Sequence, residues 1–194
     1  MDTEGARDAR GTGEAGDPEG AGNTAATSDA VDAIIGQWAA VRPDLETTPM
    51  EVFGRVYRVT QAMGDRVEKA YRRLGTTRGE FDVLATLRRS GEPYTLSPRR
   101  LSSTLMLTTG GMTGRLDKLE RAGLLRRSPD PHDRRALQVT LTEEGLALVE
   151  RAVAAGLDEQ RAALKAAGLD AAETAQLAAL LRKLLAGTRP GDGA

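Results

Sequence analysis

The sequence contains no cysteine and a single histidine, His132. The first absence excludes disulfides, thiol redox switches and thiolate metal sites. The second leaves no imidazole cluster for a metal, so neither metal nor cofactor is expected. Aromatic residues make up only 3% of the chain against 40% hydrophobic overall, so a core must rest on Leu, Val, Ala and Met, a composition that suits helices. No apolar run approaches the roughly eighteen residues of a membrane-spanning helix, and residues 1–28 lack the basic start and apolar stretch of a secretory signal. The expected location is the cytoplasm, with no membrane partner. A phosphate-binding glycine loop with lysine and a G-x-S-x-G elbow are also missing, and with them the usual marks of an enzyme.

The formal charge of -1 conceals an asymmetry. Residues 1–29 carry seven acids and two arginines, a net of -5, whereas residues 97–135 carry nine Lys or Arg and four acids, a net of +5. A basic segment of that kind attracts phosphate even when the whole chain is near neutral, although a solvated surface could have the same composition.

Periodicity divides the chain into segments. Residues 1–27 are rich in Gly, Ala, Asp, Glu and Thr without apolar spacing, which predicts a disordered acidic tail. Residues 28–76 read as N-terminal helices. The first has Val31, Ile34, Ile35 and Trp38 on one face and stops before Pro43. The second opens at Thr48-Pro49 with a capping box to Glu51 and carries a stripe of Met50, Phe53, Val56, Tyr57, Met63, Val67 and Tyr71.

Residues 77–141 begin with a Thr77/Glu80 capping box and a helix with Phe81, Leu84 and Leu87 inward. A short strand at Tyr94–Leu96 follows, then a brief helix after Ser97-Pro98 and a turn near Met106 and Leu107. A helix from Thr108 to Ala122 buries Met112, Leu116 and Leu119, and Gly123 stops it. Leu124–Ser128 and Gln138–Leu141 then form a hairpin around a polar turn from Pro129 to Asp133. Residues 142–186 return to helix, with Leu146, Val149 and Val153 on one face and an Asp170/Glu173 box before Leu177, Leu180, Leu181, Leu184 and Leu185. Residues 187–194 read as a flexible tail.

Strand, helix, turn, helix and hairpin in that order make a winged helix-turn-helix, and the fold class expected is mainly α with a small β-wing. The helix from Thr108 fits a major groove about 12 Å wide. Its outer side offers Thr109, Gly110, Thr113 and Lys118, with Arg115 further along. Gly110, Gly111 and Gly114 weaken that helix, either to pack closely on a neighbouring helix or to bring backbone close to phosphate. Arg134 and Arg135 at the hairpin tip are either solvated charges or a wing reaching the minor groove. Asp133 either orients one of them or caps the turn. Ser97 and Thr108 are N-caps whose helix starts also offer amides to phosphates.

Two runs carry a resemblance. LSSTLMLTTGGMTGRLDKLERAGLLRR from Leu101 to Arg127, followed by DRRALQVTLTEEG from Asp133 to Gly145, closely resembles the MarR family of bacterial transcriptional regulators over roughly residues 50–186. The resemblance implies a homodimer built from the N- and C-terminal helices and bound to a pseudo-palindromic operator. It also implies a repressor released by a small aromatic or phenolic ligand. Its DNA contacts carry over to Thr108, Thr109, Thr113, Arg115 and Lys118 on the recognition helix, and to Arg134 and Arg135 on the wing. A narrower similarity to the urate-responsive, PecS-like branch with its extra N-terminal helix points to Trp38, Asp82 and Arg89 as effector residues, with Arg115 as their link to DNA. The FDVLATLRR stretch from Phe81 to Arg89 is also similar to members that answer phenolic acids or acyl-thioesters. The competing reading is a winged helix that binds DNA without sequence preference or binds protein, and repression against activation depends on operator position.

Overall fold

A computed structural model describes residues 28–105, 109–131, 133 and 136–188. The chain divides into two units between Val52 and Phe53.

In the first unit, helix α1 (Ala30–Val41) starts with a full capping box. Asp29 Oδ1 accepts from the amides of Val31 and Asp32 at 2.7 and 3.1 Å, and the Asp29 amide donates to Asp32 Oδ2 at 2.8 Å. The helix ends before Pro43, as the sequence predicts. Val31 is buried, while Ile34 and Trp38 on the same face are exposed. Helix α2 (Thr48–Arg73) runs from this unit into the next. Its first turn differs from expectation. The Glu51 amide donates to the Thr47 carbonyl, so the helix begins one residue earlier than a Thr48 cap requires.

The second unit holds helix α3 (Arg78–Arg89), strand β1 (Thr95–Leu96), α4 (Pro98–Leu105), α5 (Thr109–Arg121), β2 (Leu125–Pro129), β3 (Leu137–Leu141), α6 (Glu143–Ala166) and α7 (Ala171–Thr188). The strands form one antiparallel sheet in the order β1-β3-β2, with Leu96 opposite Val139 and Arg127 opposite Val139 on the other side. Strand β1 starts at Thr95 rather than Tyr94, because Tyr94 has φ of 57° and a left-handed residue cannot continue a strand. Strand β2 includes Pro129, paired with Leu137, so the turn begins at Asp130.

The core lies between α3, α4, α5, the sheet and α6. Val83, Leu84, Leu87, Leu101, Met112, Leu116, Leu119, Leu125, Val139, Leu148 and Val149 form one buried cluster. A second cluster of Val67, Tyr71 and Ala152 joins α2 to α6, with the Phe81 ring stacked on Tyr71 at 4.4 Å.

The inward face of α6 keeps Val149, which is buried, and Leu146, which packs against the core, but not Val153. Gly145, Leu148, Val149, Ala152 and Gly156 are buried, whereas Val153 is exposed. Small residues set the contact: a Cβ on Gly156 would lie 2.8 Å from Tyr71 Oη. Helix α7 has the expected Asp170/Glu173 box, at 2.9 and 2.8 Å, and continues through Thr188. None of its residues is buried.

Candidate nucleic-acid interface

Helix α4 is short and begins at the expected cap, where the Arg100 amide donates to Ser97 Oγ at 3.3 Å and the Leu101 amide to the Ser97 carbonyl at 3.0 Å. Pro98 occupies the first helical position, where its missing N–H costs nothing. Arg99 and Arg100 follow in that first turn. Both are exposed and neither forms an ion pair among the described residues. Sequence reasoning passes over them, although the Ser97-Pro98 cap already places them at a helix start, where phosphates are favoured.

Helix α5 presents three faces. At 100° per residue, Met112, Leu116 and Leu119 form the buried stripe, and Gly110, Gly114 and Arg121 lie opposite. A Cβ on Gly114 would meet nothing within 4 Å among the described residues, so close packing within the protomer does not explain that glycine. One flank turns toward α3. The Arg115 guanidinium lies over Gly79, where a Cβ would be 2.8 Å from its Cζ, and Lys118 Nζ is 2.5 Å from Glu80 Oε1. Lys118 is therefore not simply an outward cation. Arg115 has no carboxylate within ion-pair distance among the described residues.

The opposite flank is tied to the wing. Arg127 on β2 reaches Asp117 Oδ1 at 2.7 Å and Glu120 Oε2 at 2.6 Å, and its own amide donates to Glu120 Oε1 at 2.8 Å. The Arg127 side chain and amide hold the Glu120 carboxyl below the usual carboxylate range. In the turn, Asp130 Oδ1 accepts the Asp133 amide at 3.3 Å, and the Asp133 carbonyl accepts the Ala136 amide at 2.9 Å. Asp130 thus caps the turn with its side chain. Thr108, Arg134 and Arg135 lie outside the described residues, as does the side chain of Thr109.

A cleft of about 380 Å³ opens between α2, α3 and α6. Its floor is apolar, including Val67, Tyr71, Phe81 and Val149, and its wall carries Arg78, Arg88 and Arg89. Two of these arginines are neutralised: Arg78 Nε lies 3.3 Å from Asp82 Oδ1, and Arg88 Nε lies 2.6 Å from Glu150 Oε1. Arg89 donates only to Thr86 Oγ1, at 3.1 Å, and has no acidic partner among the described residues. Asp82 and Arg89 are thus separately engaged on α3 and do not pair with each other. Trp38 belongs to the other unit and is 41% exposed.

A family model described as the MarR family matches residues 74–136. The HTH-type transcriptional regulator PecS of Dickeya dadantii is 42% identical over 128 residues, covering 66% of this chain and 77% of PecS. The multiple antibiotic resistance protein MarR of Salmonella typhimurium is 32% identical over 131 residues, covering 67% of this chain and 88% of its own length. The chain belongs to the MarR family. Among solved structures, a mutant MarR from E. coli complexed with operator DNA superposes with a TM-score of 0.59 at 28% identity, over 76% of this chain and 97% of that one. The 42% identity to PecS supports the PecS-like branch.

Membership makes this chain a transcriptional regulator with a winged helix fold and not an enzyme. No helix among the described residues is long and apolar enough to cross a membrane. The MarR-like ending Val-x-Leu-Thr-x-x-Gly has a mechanical reason in this chain. Thr142 Oγ1 donates to the Gly123 carbonyl at 2.7 Å and accepts the Gly145 amide at 3.0 Å, while the Thr142 amide donates to the Leu124 carbonyl. One residue thus caps α6 and fastens it to the end of α5.

Proposed function

We propose that this protein is a cytoplasmic, homodimeric repressor that binds a pseudo-palindromic operator and releases it on binding a small aromatic or anionic metabolite. The observation that carries the DNA reading is Arg115 on the recognition helix, held beside α3 without a neutralising carboxylate while the neighbouring Lys118 and Arg127 are paired. A base edge or phosphate supplies the missing acceptor. Thr108, Thr109, Thr113 and Arg115 then read the major groove. The amides of the Ser97 helix start take phosphate, and Arg134 and Arg135 reach the flanking groove. The similar E. coli MarR mutant is complexed with operator DNA, which supports the same partner here.

Titration of operator and scrambled duplex at several salt concentrations tests this reading. Arg115→Ala is expected to cost about 1–3 kcal/mol of discrimination, roughly 5- to 150-fold, the worth of one bidentate pairing with a base. Arg134→Ala and Arg135→Ala are each expected to lower the salt slope by about one, as removal of one phosphate-neutralising charge does. Equal affinity of the wild type for both duplexes would replace the repressor by a non-specific winged helix.

The effector is assigned to the α2/α3/α6 cleft, with Arg89 as its anion anchor and Asp82 as the group whose partner changes. An apolar floor beneath one unneutralised guanidinium suits a planar anion such as urate or a phenolic acid. Release follows if the ligand binds the DNA-incompetent form better. Arg89→Ala is expected to raise the effector concentration needed for half-release by about 10- to 100-fold, the worth of a charged hydrogen bond of about 1.5–3 kcal/mol. Urate, salicylate-like acids and hydroxycinnamoyl thioesters are titrated against the operator complex while Trp38 fluorescence is followed. Equal release from wild type and Arg89→Ala would place the pocket elsewhere.

A further inference from the structure

The carboxylate of Glu80 is unusual for its position. Acidic residues in the first turn of a helix are normally solvated, yet the Glu80 side chain is only 8% exposed. Its two oxygens have separate work. Oε2 accepts the Thr77 amide at 2.9 Å and faces Thr76 Oγ1 at 3.4 Å, which completes the capping box of α3. Oε1 is left for Lys118 Nζ, which arrives from the recognition helix at 2.5 Å. Burial raises the proton affinity of this carboxyl, but Lys118 and the Thr77 amide and hydroxyl outweigh it and hold the group ionised, below the usual range.

One turn earlier on α5, Arg115 packs across Gly79, the residue before Glu80. Two successive cationic side chains on this flank of the recognition helix therefore rest on two consecutive residues of α3. The buried stripe Met112, Leu116 and Leu119 fixes how deeply α5 sits, but apolar contacts are non-directional and leave rotation about the helix axis weakly specified. Arg127 supplies direction on one flank through Asp117 and Glu120, and the short, charge-assisted Lys118–Glu80 contact supplies it on the other, from α3.

We propose that Glu80 and Lys118 form a clamp that sets the rotation of the recognition helix, so that Lys118 is a positioning residue for DNA reading and does not bind phosphate. The proposal rests on the operator-binding reading above. A lysine that spends its charge on a buried carboxylate releases few counterions when DNA binds. Removing it degrades the aim of Thr109, Thr113 and Arg115, and so costs discrimination rather than general affinity.

The test uses the full-length protein with Glu80→Gln, Lys118→Met, the double variant and Lys118→Arg. Glutamine at this position preserves the capping hydrogen bond while removing the charge, and thermal melts confirm that each variant folds. Binding is measured against operator and scrambled duplex over a range of salt. Glu80→Gln and Lys118→Met are each expected to reduce the operator-to-scrambled ratio by about 10-fold, within the range of a coupled pair. The double variant is expected to be no worse than either single, Lys118→Arg to retain the wild-type ratio, and every salt slope to stay at the wild-type value. The clamp is overturned if Lys118→Met weakens both duplexes equally and lowers the slope by about one, the signature of a phosphate-binding lysine. It is equally overturned if the two single effects add in the double variant. A wild-type protein without preference between duplexes would overturn the operator-binding reading itself, and the positioning role with it.

Discussion

Gly145→Ala is expected to lower the melting temperature by about 6–12 °C, from a destabilisation of about 3 kcal/mol at roughly 2–4 °C per kcal/mol for a chain of this size. The reason is geometric. A Cβ at this position would lie 1.9 Å from the Leu124 carbonyl oxygen and 2.9 Å from both the Leu124 carbonyl carbon and Leu141 Cδ1. Overpacking a core costs about 1–3 kcal/mol when side chains can yield. Here the nearest obstacle is backbone, and the same Leu124 oxygen accepts the Thr142 amide, so moving it breaks the joint between α5, the hairpin and α6. The usual gain from replacing a helical glycine, about 1 kcal/mol, offsets only part of this. Gly114→Ala serves as the control, because nothing lies within 4 Å of its Cβ position and it should raise the melting point. Calorimetry on both variants decides the matter. A Gly145→Ala protein that melts with the wild type would mean that α6 is not seated on Leu124.

The same junction marks how far the sequence can be read. Local signals are legible because they are written in adjacent residues. The Thr77/Glu80 and Asp170/Glu173 boxes, the stop at Gly123, the Val139 and Leu141 alternation and the Met112, Leu116 and Leu119 stripe all recur in the structure. What escapes are contacts between segments far apart in the chain. On α6 the large residues place Val149 against the core, but Gly145, Ala152 and Gly156 are buried on the helix as well, and a small residue gives no hydrophobic signal. Lys118 reads as an outward cation because Glu80, 38 positions earlier, gives no hint from spacing alone that it is buried and paired. Arg127 reads only as part of a strand, although it ties β2 to Asp117 and Glu120 of the recognition helix. Its partners lie ten and seven residues away on a different element, across the turn at Gly123, so no single periodicity relates them. The cleft requires three helices at once: periodicity places Phe81 and Tyr71 inward, but not Arg78, Arg88 and Arg89 along one wall.

Leu180→Glu combined with Leu181→Glu is expected to convert the protein to a monomer and to weaken operator binding by on the order of 10²- to 10⁴-fold, the usual worth of joining two binding modules. Helix α7 makes the case. Leu177, Leu180, Leu181 and Leu185 follow helical spacing, yet all are between 41% and 60% exposed in the single chain. Helices α2 and α6 add Phe53, Tyr57, Val59, Leu157 and Leu164, also exposed. In the homodimer proposed above, a partner subunit covers this stripe. A carboxylate placed in such an interface must be desolvated without a partner, which costs more than one leucine contributes. Operator binding collapses with the dimer because one recognition helix then meets one half-site, and the second half-site, about 34 Å away, no longer adds to it. Sedimentation at micromolar concentration should give about twice 20.6 kDa for the wild type and the single value for the variant. Circular dichroism should remain helical in both, because no α7 residue contributes to the buried core. A variant that still sediments as a dimer would move the interface away from α7. A wild-type monomer with tight operator binding would remove the two-fold architecture altogether.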